Sequence, residues 1–408
     1  MEYHYHQLKN GIRLVHRNAD SKVAHCGLII NAGSRDETKA ENGIAHFIEH
    51  CIFKGTQKHK SSFILNRLDS VGGDLNAYTT KEETFVYASF LIEYFPRTLE
   101  LLADIVFNST FPAKELEKEK EVVIEEINAY KDSPSELIFD EFEQEVFANH
   151  PIGELILGTP TNIRKFKSGH LSDFTKKNYN TDEMVICSVG NIKFSNLIRL
   201  AERYFNDFET NNRSIQRNPF LNYHPVSVIK NKKTFQSHCL IGNIAYQIKD
   251  DRKTGLTLLN NLLGGPASNS RLSIALREKN GLSYNVESNY TPYSDTGLIC
   301  IYFGTDNSTY NKAVQTVMKE LEKLRTVKLS TIQLHSVKKQ ITGQIAIAYE
   351  SNLNEMLSIG KSYLVYNKVD TIEHLCSKIN EITSEDLIAI ANQVFDPDQL
   401  SILTYKSK

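Results

Sequence analysis

The sequence predicts an α+β fold of two homologous halves, each a mainly antiparallel sheet with helices packed on one face. Three observations carry this expectation. Strand-like runs open each half and are followed by helix pairs rather than by single crossover helices. The order of these elements recurs about half-way along the chain. Between the two runs, residues 209–219 (Glu-Thr-Asn-Asn-Arg-Ser-Ile-Gln-Arg-Asn-Pro) are polar, rich in turn formers and without periodicity. The expected division is therefore 1–210, a linker at 211–222, and 223–408. At 408 residues the chain is also too long for one ordinary core.

Taken in order, Ile12–Val15 and Ala24–Ala32 read as the opening strands, rich in β-branched and apolar residues. A helix follows near Gly43, then a strand pair, two long helices, a further helix and a closing strand at Met184–Val189. The second half repeats this, with strands at Ser227–Ile229 and Cys239–Ala245, a helix near Gly255 and a closing strand at Leu400–Tyr405. Lys114–Tyr130 (KELEKEKEVVIEEINAY) is built almost wholly of strong helix formers. Its Leu116, Val123, Ile127 and Tyr130 recur at helical spacing as a stripe for burial, which Val122 widens on one side.

Composition narrows the function. The chain is 40% hydrophobic and 24% charged, with a net charge of -2, so neither nucleic acid nor an anionic membrane is an expected partner. No apolar run approaches the roughly 20 residues that span a bilayer. The opening MEYHYHQLKNGIRLVHR has neither an apolar signal core nor transit-peptide character. Six cysteines (Cys26, Cys51, Cys187, Cys239, Cys300, Cys376) are scattered without CxxC spacing, mostly among apolar strand residues. Buried free thiols in a reducing, cytoplasmic setting are the expectation.

His46-Phe47-Ile48-Glu49-His50 is the most informative stretch. Flanked by Gly43 and Gly55, it reads as a helix with Gly55 as its C-terminal cap. On such a helix His46, Glu49, His50 and Phe53 share an arc of roughly 100°. Histidines at i and i+4 can grip one zinc ion, and Glu49 then points at the open coordination position. The same pattern suits surface or satisfied core histidines, so a third ligand from elsewhere must decide. Cys51 adjoins His50 but points away from this arc. In Lys114–Tyr130, Glu117, Glu121 and Glu125 lie opposite the apolar stripe, as a solvated charge run does. Glu119 and Glu126, seven residues apart, stack beside the stripe instead. A carboxylate turned towards a core is costly unless paired or metal-bound, which suggests one ligand and one supporting carboxylate.

With these residues in place the sequence resembles the pitrilysin-type zinc metallopeptidases, in the branch of mitochondrial processing peptidase and its bacterial relatives. Glu126 stands 76 residues after His50, the spacing of the family's zinc-binding glutamate, and Glu119 matches its supporting acidic residue. Val71–Thr79 with Glu83–Tyr87 is similar to the family's active-site edge strand, and Asn149–Gly153 with Ile156–Thr159 to the loop after its zinc helix. Ser270-Arg271-Leu272 followed by Arg277…Tyr284 resembles the C-terminal arginine/tyrosine motif. Gly264-Gly265-Pro266-Ala267-Ser268 lacks the long glycine run of the regulatory mitochondrial subunit.

The resemblance implies one zinc per chain held by His46, His50 and Glu126, with Glu49 as general base. It also implies that Arg277 and Tyr284 assist the developing oxyanion, and that a peptide adds as a strand along Asn76, Ala77 and Tyr78. An enclosed chamber, unfolded peptides as substrates and a homodimer go with it. Aligning Gly43 with Gly255 sets Leu258, Asn261 and Leu262 against His46, Glu49 and His50, and aligning Ala129-Tyr130 with Ala348-Tyr349 sets Ile345 against Glu126 and Lys338 against Glu119. The second half is thus expected to bind no metal. A silent scaffold, as in the core proteins of respiratory cytochrome bc complexes, or a subunit of a heterodimer are the other functions this resemblance allows.

Overall fold

The computed structural model describes residues 2–408. The first half contains β1 (His4–Gln7), β2 (Arg13–Asn18), β3 (Val23–Ile30), α1 (Ile44–Cys51), α2 (Ser61–Asp69), β4 (Asp74–Thr79) and β5 (Thr84–Leu91). It continues with α3 (Phe95–Phe107), α4 (Ala113–Lys131), α5 (Pro134–Val146), α6 (Pro160–Lys165), α7 (Ser168–Asn178), β6 (Met184–Gly190) and α8 (Phe194–Phe205). The second half runs β7 (Ser227–Lys232), β8 (Ser237–Ala245), α9 (Lys253–Gly264), β9 (Val286–Pro292) and β10 (Gly297–Thr305). After these come α10 (Tyr310–Thr326), α11 (Thr331–Ala348), α12 (Asn352–Tyr366), α13 (Ile372–Glu381), α14 (Ser384–Val394) and β11 (Ser401–Ser407).

The strand orders β1-β2-β6-β3-β5-β4 and β7-β11-β8-β10-β9 show the repeat directly. In both sheets the closing strand enters the middle, parallel to the opening strand (β2 with β6, β7 with β11), and every other pairing is antiparallel. The first sheet differs only by the extra edge strand β1. The edge opposite is β4, paired with β5 alone.

Most helices gather on one face of each sheet, but neither sheet leaves its other face to solvent. Leu14, Cys26, Leu28 and Ile186 point into a core shared with α1, α3 and α7. Val15, Ile29, Phe85, Val185 and Cys187 point the opposite way, onto Met356, Ile359, Tyr363 and Leu364 of α12. In the second sheet Cys239, Ile241, Ile299 and Phe303 meet α9, α10 and α14. Leu240, Leu298, Cys300 and Tyr405 meet Ile138, Phe142 and Val146 of α5. Strands buried on both faces carry unbroken apolar runs, which is why β6 and β10 show no alternation.

Each half thus lends one helix to the other's sheet. The compact units are Met1–Asn128, Glu154–Arg217 and Ala346–Ile372, and Ala129–Gly153, Asn218–Ile345 and Glu373–Lys408. A division into two continuous halves therefore does not describe the packing. The irregular connection is also tethered at its start: Arg213 and Arg217 both pair with the buried Asp36 at 2.7 Å. All six cysteines are free and five are buried. Among the described residues no helix is long and apolar enough to cross a membrane.

A glycine marks each borrowed helix. A Cβ on Gly360 of α12 would stand 2.8 Å from Cys187 Sγ, and one on Gly242 of β8 would meet the Phe142 ring of α5 at 3.0 Å. Gly360→Val should accordingly cost about 1–3 kcal/mol, read as a lower urea midpoint and faster amide exchange in α12. Gly343→Ala, where an added Cβ meets nothing, should instead stabilise by about 0.5–1 kcal/mol.

Candidate metal centre

α1 is held at its start by a carboxylate the sequence did not single out. Glu37, buried, accepts from the backbone N–H of Gly43 (2.9 Å) and Ala45 (2.8 Å) and from the Asn42 amide (3.3 Å). It thereby satisfies helix N-terminal donors that would otherwise be orphaned. Gly43 lies at φ +94° with Gly158 Cα 2.8 Å from where its Cβ would be, so only glycine fits. The helix stops at Cys51, earlier than expected. Phe53 lies beyond its end and Gly55, at φ +153°, belongs to the following loop.

Within α1, His46 is buried and His50 half-buried. Glu126 Oε2 on α4 lies 3.8 Å from His46 Nε2 and 3.4 Å from His50 Nε2. These three form a group able to hold a metal ion, with ligand atoms within 4.8 Å of one another. A tetrahedral zinc with bonds of about 2.0–2.2 Å separates its ligand atoms by about 3.3 Å, so the donor set fits in both type and spacing. No second such group occurs among the described residues. Cys51 faces the core, and burial pushes its thiol up.

The phase of α4 differs from the expected one. Val122 is 49% exposed and Ile124 is buried in its place, so the stripe turns towards Leu116, Glu119, Lys120, Val123 and Ile127. The two carboxylates consequently sit in different surroundings. The Glu119 side chain is 10% exposed and that of Glu126 44%. Glu119 Oε1 meets His50 Nδ1 at 3.0 Å, while its Oε2 pairs with Lys54 Nζ at 2.7 Å. A carboxylate on the far nitrogen orients a ligating imidazole and raises its basicity. Lys54 was missed because it lies past the end of α1, where only the course of the following loop brings it to Glu119.

The electrostatics suit a cation. Burial works to lower the His50 imidazole, but Glu119 and Glu126 outweigh it and hold the group up at about 9. Burial and the adjacent His50 hold His46 down at about 4. Contact with His50 lowers Glu126, and Glu119 is lowered by His50 and Lys54 against the effect of its burial. The carboxylates favour a positive charge at His50, the charge a divalent ion supplies.

Glu49 is half-buried on the same helix. Burial raises its carboxyl, opposed by Thr79 at the end of β4 and by His50. Of the proposed substrate strand, Ala77 packs with Leu75 towards the core that holds α1. Tyr78 points to the opposite face, against Phe85 and Tyr87, and Asn76 shares that phase. Their side chains therefore do not face His46, His50 and Glu126, and Thr79 is the strand residue beside Glu49. Arg277 and Tyr284 belong to the other unit, where the guanidinium lies 5.1 Å from the tyrosine ring and Tyr284 is 82% exposed. Both line a cavity of about 510 Å³ with Asn260, Asn261 and Ile341.

Two family models match the chain. Insulinase (peptidase family M16) covers residues 13–160, and the peptidase M16 inactive domain covers residues 165–341. An uncharacterized zinc protease of Bacillus subtilis, YmxG, is 34% identical over 96% of this chain and 95% of its own. An uncharacterized zinc protease of Rickettsia bellii is 33% identical over 97% and 95%. Among solved structures, a peptidase M16 inactive domain from Pseudomonas fluorescens superposes with a TM-score of 0.93 at 20% identity, covering 100% of this chain and 98% of that one. A protease from Helicobacter pylori gives 0.90 at 21%, covering 99% of each. These two structures bear on the fold alone.

Substitutions separate the carboxylates. Glu126→Gln should abolish stoichiometric zinc uptake, measured by elemental analysis after dialysis, whereas Glu125→Gln on the exposed side should leave it intact. Glu119→Gln should retain the site but weaken zinc roughly 10–100-fold in chelator competition.

Proposed function

The chain belongs to the insulinase-type peptidase family M16, and on that premise we propose that it is a zinc-dependent endopeptidase acting on unfolded peptides. The observation that carries the proposal is the convergence of His46, His50 and Glu126 with Glu49 on the same helix. Relatives at 34% and 33% identity bear the name zinc protease, which supports both the metal and the reaction. A bound zinc would be held by His46, His50 and Glu126, one per chain, and supplies Lewis acidity for carbonyl polarisation and water activation.

The residues of this chain divide the remaining work. Glu49 accepts the proton of the attacking water and returns it to the leaving amine. Glu119, braced by Lys54, holds the His50 ring in its ligating orientation. The free edge of β4 offers main-chain groups to an extended peptide, which selects unfolded chains and reads side chains loosely. Arg277 and Tyr284 are assigned hydrogen bonds to the oxyanion on the resemblance of their motif, and the enclosed chamber and the pairing of two chains rest on it likewise.

The complete ligand set and base argue against a silent scaffold. The name of the second matched family model, an inactive domain, concerns residues 165–341, and the metal ligands all lie before them. Zinc-loaded protein should cleave a quenched-fluorescence unstructured peptide. Glu49→Gln should lose on the order of 10²–10⁴ in rate while keeping its zinc. Tyr284→Phe should lower kcat on the order of 10²-fold with zinc content unchanged. Loaded protein that cleaves no unstructured peptide would leave the scaffold reading in its place.

A further inference from the structure

The second unit carries a basic groove that the proposed reaction does not use. It is a cavity of about 820 Å³ formed by α10, the single π-helical turn Ser273–Glu278 and the start of α11. Arg271, Lys279, Lys312, Lys319, Lys323 and Lys328 line it, against one acid, Glu320. Two of these cations are already neutralised: Lys323 pairs with Glu320 and Lys328 with Glu385, each at 2.6 Å. Arg271, Lys279, Lys312 and Lys319 make no ion pair or side-chain hydrogen bond among the described residues. Arg271 is also partly buried, and the acid that attracts its guanidinium, Glu320, is already engaged with Lys323. In a chain whose net charge is -2, such an accumulation is local and is not the general surface.

We propose that this groove docks an extended acidic polypeptide segment, whose Asp and Glu side chains pair with Lys312, Lys319, Arg271 and Lys279. The spacing supports a peptide. Lys312 and Lys319 lie on one face of α10, about 10 Å apart along its axis. An extended chain covers that distance in about three residues. Sites for a lone phosphate gather donors on a single point, whereas these charges are strung along a helix. No aromatic ring lines the groove, so nothing there stacks a nucleobase. A concave groove also fails to meet a flat lipid surface. The remaining lining, including Gln315 and Gln333, supplies neutral amides that can bridge between carboxylates.

The test is fluorescence anisotropy of a fluorescein-labelled octaglutamate peptide at low salt. It uses the full chain carrying E49Q, so that the peptidase reading neither consumes the probe nor decides the outcome. K312E/K319E should weaken binding at least about tenfold, since like charges then face the peptide. K176E/K177E, the same change in net charge on exposed lysines of the other unit, should leave it within about twofold if the groove and not bulk charge is responsible. The unfolding midpoint should not move, because Lys312 and Lys319 are exposed; K312Q/K319Q should give the same ranking if charge reversal disturbs α10. Equal weakening by both reversal pairs, absence of saturable binding, or tighter binding of tripolyphosphate than of octaglutamate would overturn the proposal.

Discussion

Everything else in the molecule depends on one constraint: both of its sheets are apolar on both faces. A sheet of that kind must be covered twice, and the helices gathered on the first face cannot also reach the second. The chain resolves this by exchange, with α5 of the first half covering the second sheet and α12 of the second half covering the first. The contact of α12 is tight enough to require glycine, at Gly360 against Cys187; at Gly242 the Ile299 carbonyl of β10 excludes a side chain first and the Phe142 ring of α5 crowds it further. α12 is further latched to β2, where Arg13 donates to the Tyr363 carbonyl at 2.9 Å and Arg17 pairs with Glu355. Neither half is thus a self-sufficient core, which gives the second half a reason to persist beyond any share in chemistry.

The same constraint shapes the metal centre. α4 must pack on the first core and then deliver the chain to α5, so its buried stripe is narrow and its last turns are open. Glu126 falls in those open turns, with only Ile127 and Asn128 between it and the point where the chain leaves the first unit. Glu119, two turns earlier, is buried and can be spared only because His50 and Lys54 satisfy both of its oxygens. One helix thereby sets an accessible carboxylate beside His46 and His50 and an enclosed one behind the His50 imidazole. The second half retains the scaffold of this arrangement, but Leu258, Leu262 and Ile345 are apolar where the first half has His46, His50 and Glu126.

Charge is distributed with similar economy. Arg213 and Arg217 both pair with Asp36 and fix the start of the connection between the halves. Lys312 and Lys319 on α10, by contrast, make no ion pair among the described residues, Glu320 being taken by Lys323.

The fold class, the repeat and the grouping of His46, His50 and Glu126 were legible in the sequence. Strand composition, helix formers and the phase of an HxxEH helix are local properties, and Glu126 follows from counting along the chain. The sequence did not determine the exchange of α5 and α12, since an apolar helix stripe records that it will be buried and not by which sheet. It misplaced Val122 and the end of α1 for a related reason: a helix's buried phase and its stopping point are settled by the neighbours it meets. Glu37, Lys54 and Thr79 escaped notice because isolated polar residues acquire roles only from what folding sets beside them. The side-chain directions of Asn76 and Tyr78 belong with these. A strand's alternation is legible in sequence, but which face looks towards the metal is decided only when the sheet is assembled and covered on both sides.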